Sequence, residues 1–128
     1  MSGGRFKSAA PCFSVADVGI TVRWYEQHFG FTAFPFPESE PYVFAVLGRD
    51  QVEIMLQRVE GYEKPDIYAR RSGGVWDAYI RVVGVKELFE SVRDRVTIIE
   101  PLRRQPYGDW EFAVRDPNGY VLVFSELL

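Results

Sequence analysis

The chain has 128 residues, with 18 acidic and 15 basic side chains and a formal net charge of −3. That length predicts one domain with its own apolar core, and the charge balance, without a long basic run, argues against nucleic acid as a partner. A single cysteine, Cys12, excludes an internal disulfide and fits a reducing cytoplasm. No apolar run approaches the ~20 residues of a membrane helix. Residues 1–8 lack an apolar signal core and predict a flexible tail on a cytoplasmic protein.

The first half of the chain predicts a strand, a helix and three further strands. Residues 11–15 form the first strand, and Asp17 caps a helix over residues 18–29, where apolar residues recur at helical spacing. Gly30 ends that helix. Three strands follow, at residues 31–36, 42–47 and 51–57. Residues 48–50 join the last two as a tight hairpin.

The second half repeats this order after a linker at residues 58–74, which is rich in turn-forming residues and holds a helical turn at 67–70. A strand over residues 76–82 precedes a helix over 85–94. Three more strands follow, at residues 97–99, 110–115 and 120–125. The first of these three stops at Pro101 in the predicted arrangement.

The repeated order of elements predicts an α+β fold made of two tandem βαβββ modules. Module one covers residues 10–57 and module two residues 75–126, within a single domain at 9–128. We expect a curved, partly open mixed sheet around a cavity, with both helices outside. The 16% aromatic content can fill the core and can also line a pocket for a flat or greasy ligand.

Three stretches of the chain resemble a known family. They are residues 15–31, from Val-Ala-Asp to Phe-Gly-Phe, residues 107–112, Tyr-Gly-Asp-Trp-Glu-Phe, and residues 116–126, from Asp-Pro-Asn-Gly-Tyr to Phe-Ser-Glu. Their order and spacing resemble the vicinal-oxygen-chelate superfamily, which includes glyoxalase I, extradiol dioxygenases, fosfomycin-resistance enzymes and bleomycin-resistance binding proteins. The resemblance extends from about Ala10 to Glu126.

The resemblance implies where a metal ion would be held, because enzymes of that family bind a divalent ion with side chains from four strands. The matching positions here are Ala10, Met55, Asp77 and Val123. Of these only the Asp77 carboxylate suits a hard or borderline cation. Glu53 would be a second carboxylate if the register differed by two residues. The sequence therefore predicts no metal site and no cofactor.

Strand alternation predicts which side chains line the cavity. The candidate ligand-binding residues on this basis are Ser14, Glu53, Met55, Gln57, Asp77, Tyr79, Arg81 and Val123. Three aromatic side chains are added as groups that would enclose the ligand: Phe44, Trp76 and Trp110. The residues between these candidates on the strands are strongly apolar and should pack under the helices: Phe13, Val15, Ile54, Leu56, Ile80, Val82, Leu122 and Phe124.

Several polar residues have both a structural and a functional interpretation. Arg81 either pairs with Glu53 or Asp77 as a buried ion pair, or it orients a ligand between aromatic side chains together with Asp77 and Tyr79. The lone histidine, His28, is interpreted as a solvated residue near the helix C-terminus rather than a ligand. Two further acids that recur in the family pattern, Glu111 and Glu126, are interpreted as charges that deter strand-edge pairing.

The leading functional hypothesis is a metal-free, bleomycin-resistance-like protein that sequesters a small molecule. Its ligand would be hydrophobic or aromatic, with a cationic drug as one option, and the resemblance implies a homodimer whose halves complete each other's sites. The alternative is an enzyme of the lyase, isomerase or dioxygenase type that uses Asp77 or Glu53 as acid or base, or an atypical metal site. A third hypothesis is a regulatory domain without a small-molecule site.

Overall fold

The computed structural model describes residues 3–71 and 74–128. Over these residues the chain forms two helices, eight strands and one 3-10 turn. In chain order they are β1 (Cys12–Val15), α1 (Val18–Phe29), β2 (Thr32–Phe36), β3 (Phe44–Arg49), β4 (Val52–Arg58), the 3-10 turn (Tyr68–Arg70), β5 (Ala78–Arg81), α2 (Val85–Val92), β6 (Thr97–Arg104), β7 (Asp109–Arg115) and β8 (Val121–Leu127). Neither helix is long and apolar enough to cross a membrane.

Helix α1 has the boundaries that the sequence predicts. Asp17 accepts a hydrogen bond from the Ile20 N–H at 3.0 Å, which satisfies a donor that the first turn cannot pair internally. Gly30 ends the helix at a φ of 65°, a left-handed conformation that costs glycine little. The buried face carries four side chains at helical spacing: Val18, Val22, Tyr25 and Phe29.

The strands form two four-stranded mixed sheets with the same internal order, β1-β4-β3-β2 and β5-β8-β7-β6. In each sheet the first strand pairs in parallel with the last, and the remaining pairs are antiparallel. The prediction of an α+β fold built from a duplicated βαβββ unit is therefore confirmed.

The register shows how closely the two modules correspond. Met55 on β4 pairs with Cys12 on β1, and Val123 on β8 pairs with Tyr79 on β5. In module one, Cys12 lies two residues after Ala10, which matches the family's first-strand metal position. In module two, Tyr79 lies two residues after Asp77, which is the equivalent position. The first and last strands of the two modules are thus paired in the same register.

Most predicted strand ends differ from the structure by one or two residues, and two differences have a clear physical reason. Gly48 belongs to β3 rather than to the hairpin, because Arg49 pairs with Val52 and leaves a two-residue turn that begins at Asp50. Strand β6 does not stop at Pro101 but continues to Arg104. Pro101 has no backbone N–H to donate. The strand tolerates this because β6 lies at the edge of its sheet, where one side of the strand has no partner strand to bond.

One apolar core joins both modules. Phe29 on α1 stacks on Phe124 of β8 with ring centroids 4.8 Å apart, and Phe13 on β1 stacks on Tyr120 at 4.1 Å. Of the eight residues predicted to pack under the helices, seven are buried and Val82 is half-buried. Both helices therefore cover one face of their sheet, and we call the other face of each sheet its helix-distal face.

Candidate functional site

The helix-distal face of module one is a ladder of aligned side chains. One row across the sheet contains Phe34, Val46, Met55 and Cys12, and the next contains Phe36, Phe44, Gln57 and Ser14. The Gln57 amide donates a hydrogen bond to the Ser14 hydroxyl at 3.1 Å. Four of the predicted ligand residues thus share this face. Glu53, the fifth from module one, is exposed one row further along, opposite Gly48.

The helix-distal face of module two has the corresponding rows, but they are far more polar. One row contains Tyr79, Val123, Ala113 and Glu100, and the next contains Arg81, Ser125, Glu111 and Arg103. Three of the predicted ligand residues, Tyr79, Arg81 and Val123, lie in these two rows.

A cavity of about 280 Å³ opens on this face of module two. Its walls include Tyr68, Trp76, Tyr107 and Val123, and two carboxylates, Glu100 and Glu111, reach it. The Trp76 ring lies 5.4 Å from the ring of Tyr79. Among the described residues, no hydrogen bond or aromatic contact joins the predicted ligand residues of module one to those of module two.

A polar network lies beneath the cavity. The Tyr79 hydroxyl is hydrogen-bonded to the Glu111 carboxylate and lies 2.9 Å from the Ser125 hydroxyl, which donates in turn to Asp109 at 2.9 Å. Arg81 donates to Asp109 at 2.6 Å. The sequence-based pairing of Arg81 with Glu53 or Asp77 is therefore wrong, because Asp109 lies closer along the same face.

The protonation states in this network follow from its contacts. Hydrogen bonding to Arg81, and then to Ser125, lowers the pKa of Asp109. Burial, followed by hydrogen bonding to Glu111, raises the pKa of both Tyr79 and Tyr107. At neutral pH the network therefore combines an ionised, paired Asp109 with two protonated tyrosine hydroxyls, of which that of Tyr79 donates to Glu111.

Asp77 lies at the start of β5 and is already engaged on two sides. Its Oδ2 accepts the Val121 backbone N–H at 2.8 Å and lies 3.4 Å from the Lys64 ammonium. The Lys64 side chain is only 9% exposed and also lies over the Tyr120 ring at 5.3 Å. The Lys64–Asp77 ion pair therefore links residues 58–74 to module two.

The residues at the four family metal positions do not fit a metal ion. Ala10 and Val123 offer no donor atom, Met55 offers only a thioether, and the Asp77 oxygen is shared by an N–H and an ammonium group. Over residues 3–71 and 74–128, no three His, Cys, Asp or Glu side chains come close enough to hold a metal.

Three sequence-based placements need correction. Trp110 packs against the core on the helix side of β7, with the Lys86 ammonium 4.6 Å from its ring, so it does not line the cavity. His28 is half-buried rather than solvated. Glu111 and Glu126 lie on interior strands of their sheet, so they cannot deter edge pairing.

Sequence reasoning also missed cavity residues. Glu111 was recoverable, because alternation along β7 puts Asp109, Glu111 and Ala113 on one face and Trp110 on the other. Glu100 was not considered because the predicted strand covered only residues 97–99, whereas β6 includes Glu100. Tyr68 and Tyr107 lie outside the strands, so side-chain alternation could not predict that they line the cavity.

A larger groove of about 820 Å³ lies elsewhere, between the end of α1 and the start of α2. It includes Arg81 but no other predicted ligand residue, and the Arg81 guanidinium is already paired with Asp109. We therefore place the candidate site at the smaller cavity, where aromatic and acidic groups converge.

Comparison with known proteins agrees with this geometry. The sequence matches the model of the Glyoxalase/Bleomycin resistance protein/Dioxygenase superfamily over residues 8–124. The chain belongs to this superfamily. The resemblance inferred from the three motif stretches is thereby confirmed. None of the curated proteins matches the chain in sequence.

Three solved structures resemble the chain over nearly its whole length. The bleomycin-binding protein from bleomycin-producing Streptomyces verticillus, complexed with copper(II)-bleomycin, is 25% identical, with a TM-score of 0.68 over 95% of this chain and 97% of that one. TioX from Micromonospora sp. ML1 is 24% identical, with a TM-score of 0.75 over 96% and 100%. A glyoxalase-related enzyme from Clostridium phytofermentans is 16% identical, with a TM-score of 0.76 over the whole of both chains.

Proposed function

We propose that this chain binds and sequesters a small, flat, partly apolar molecule without a metal ion, as a drug-resistance protein does. The observation that carries this proposal is the module-two cavity, where aromatic walls surround a few convergent polar groups. The poor fit of the four family positions to a metal supports it as well. So does the likeness to a protein solved with copper(II)-bleomycin. The one free thiol, on the exposed Cys12, favours a cytoplasmic location.

We further propose that two copies associate to complete the site. The helix-distal face of module one presents Phe34 and Phe36, which are 64% and 68% exposed, beside half-buried Phe44, Val46 and Met55. Solvent-exposed aromatics in adjacent rows of a sheet favour a covering partner. The helix-distal face of module two of a second copy is the proposed cover, and the ligand would lie between the two faces.

The enzyme alternative has less support. The Oδ2 of Asp77 is held by the Val121 N–H and by Lys64, and Asp77 is not among the residues that line the module-two cavity. Glu53 lies exposed, one row beyond Met55 on the module-one face. Sequestration needs only the cavity and its walls, which makes it the better account of the same residues.

Thermal unfolding in the presence of candidate ligands tests this proposal. Metal-free bleomycin, copper(II)-bleomycin and a panel of planar aromatic drugs are the probes. A ligand at a hundred times its Kd stabilises the folded state by about 2.7 kcal/mol, which raises Tm by several degrees. Val123→Phe, which fills the cavity, should abolish that rise, whereas Glu90→Gln on the surface of α2 should not change it.

Two results would contradict the proposal. One is a full panel, bleomycins included, that leaves Tm unchanged. The other is a stoichiometric divalent metal that copurifies with the protein and supports turnover of a substrate. Treatment with a chelator should leave both Tm and the ligand-induced shift unchanged.

A further inference from the structure

Two buried carboxylates on β7 differ in how their charge is balanced. Asp109 is 6% exposed and has the Arg81 guanidinium at 2.6 Å. Glu111, two residues further on, is 8% exposed, and within the described part of the chain no Lys or Arg nitrogen lies within 4 Å of its oxygens. A buried carboxylate is costly unless a cation or a full set of donors accompanies it.

The tyrosines around Glu111 satisfy part of its hydrogen-bonding capacity without neutralising it. The Tyr79 hydroxyl is bonded to this carboxylate, and interaction with Glu111 also raises the pKa of Tyr107, but a carboxylate offers about four acceptor sites. Both hydroxyls carry no charge. Glu111 therefore faces the cavity with acceptor capacity to spare and with no basic partner among the described residues.

The walls of the same cavity suit a cation. Trp76, Tyr68 and Tyr107 line it, and Trp76 is 47% exposed and so keeps a contact surface toward the opening. Aromatic faces attract ammonium and guanidinium groups, and tryptophan does so most strongly. Glu100, which accepts the Tyr68 hydroxyl, adds a second acid at the rim.

We infer that the module-two cavity selects ligands that carry an organic cation, an ammonium or guanidinium group attached to an apolar or aromatic body. The cationic group binds Glu111 and the aromatic walls enclose the body of the ligand. This inference rests on the proposed function and specifies its ligand class, which neither the family nor the fold determines.

Among the described residues that line the cavity, Arg103 is the one basic residue. It is the cross-strand partner of Glu111, but it is exposed where Glu111 is buried. It therefore weakens the negative field at the mouth of the cavity without pairing at its floor. Removing its charge should strengthen the preference for a cationic ligand.

Two small probes of matched size test the inference, namely benzylammonium and benzyl alcohol. Binding is followed by the shifts of the Trp76 indole N–H and the Glu111 amide in two-dimensional NMR spectra of the wild-type chain. Benzylammonium should bind about tenfold more tightly than benzyl alcohol. Equal affinities, or no shift at either group up to the solubility limit of the probes, would overturn the inference.

Variants separate the contributions of the charge and the walls. Glu111→Gln should remove the preference for benzylammonium, Arg103→Gln should increase it, and Glu90→Gln should leave it unchanged. Trp76→Leu should lower the affinity for both benzylammonium and benzyl alcohol. A preference that survives in Glu111→Gln would refute the role of Glu111, and the wild-type comparison stays decisive even if that variant does not fold.

The two proposals can fail separately. If planar drugs raise Tm but the two probes bind equally, the protein sequesters ligands without selecting cations. If no drug raises Tm and neither probe shifts the Trp76 or Glu111 signals, both proposals fall together.

Discussion

His28 is the single histidine of the chain, and its environment is unusual for a helix terminus. It lies in the last turn of α1, and its ring makes an edge contact with Trp24 at 5.6 Å. Its Nδ1 is buried and has no hydrogen-bond partner among the described residues. Burial, and then the nearby charge of Arg95, lowers the pKa of His28. The helix terminus favours a charged imidazole, but burial has the larger effect.

This shift predicts a loss of stability in mild acid. The unfolded chain takes up a proton near the ordinary histidine pKa of about 6.5, whereas the folded chain does so only at lower pH. The free energy of unfolding should therefore fall as the pH drops below about 6.5, and level off below the folded-state pKa. Urea titrations of wild type and His28→Gln across this range measure the effect, because the difference between the two curves cancels the contribution of other groups. A difference that does not vary with pH would contradict the prediction.

At the same scale, the residues of the site show what alternation can and cannot predict. It placed Tyr79, Arg81 and Val123 on one face correctly, because a strand reverses its side chains at every residue. The partner of Arg81 was predicted wrongly, because Glu53 and Asp109 lie on different strands and only the three-dimensional register decides between them. Whether these residues bind a ligand stays a prediction.

At the scale of the element, α2 depends on a neighbouring strand for its start. It is preceded by Gly84, at a φ of 89°, which has no capping side chain. Glu126 on β8 supplies the missing acceptor, since its Oε1 accepts the N–H groups of Gly84 at 3.0 Å and Val85 at 2.9 Å. A carboxylate at this point also interacts favourably with the helix dipole.

Glu126→Ala should therefore destabilise the chain by about 1–2 kcal/mol, the usual cost of losing a helix cap. Glu126→Gln should cost less, because its amide oxygen can still accept a hydrogen bond although the charge is gone. Chemical denaturation compares the two with Glu90→Ala, which removes an exposed acid of the same helix. Equal stabilities of Glu126→Ala and Glu90→Ala would show that the cap contributes nothing.

The elements themselves were largely readable from the sequence, and their ends were not. The bounds of α1 followed from a capping Asp17 and a stopping Gly30, two local signals. The course of β6 past Pro101 depended on its place at the edge of the sheet, which is a property of the assembled fold. Local chemistry therefore predicts where elements form better than it predicts where they end.

At the scale of the whole molecule, the two modules share one core, but their helix-distal faces carry different side chains. Module one presents an apolar face with Phe34 and Phe36 largely exposed, and module two presents a polar cavity. The duplication predicted the common frame, because the same pattern of elements occurs in both halves. It could not predict this divergence, which lies in individual side chains.

This division predicts a dimer in solution. Light scattering on the wild type should give the mass of two chains, and Phe34→Asp should shift it toward one, since a buried carboxylate without a cation is costly and the facing module-two cavity already holds Glu100 and Glu111. Phe34 is 64% exposed within one chain, so the variant should keep its fold. Ile20→Asp, at a 53% exposed position on α1, is the matched control and should stay dimeric. A wild type that is monomeric at high concentration would contradict the prediction.

The Lys64–Asp77 pair limits how this chain could be converted into a metalloenzyme. Three of the family positions, Ala10, Met55 and Val123, would need new ligand side chains. Those three changes would not be enough, because a divalent ion arriving at Asp77 would meet an ammonium group already 3.4 Å from the same oxygen. A metal-binding redesign therefore requires a fourth substitution, at Lys64 in the linker.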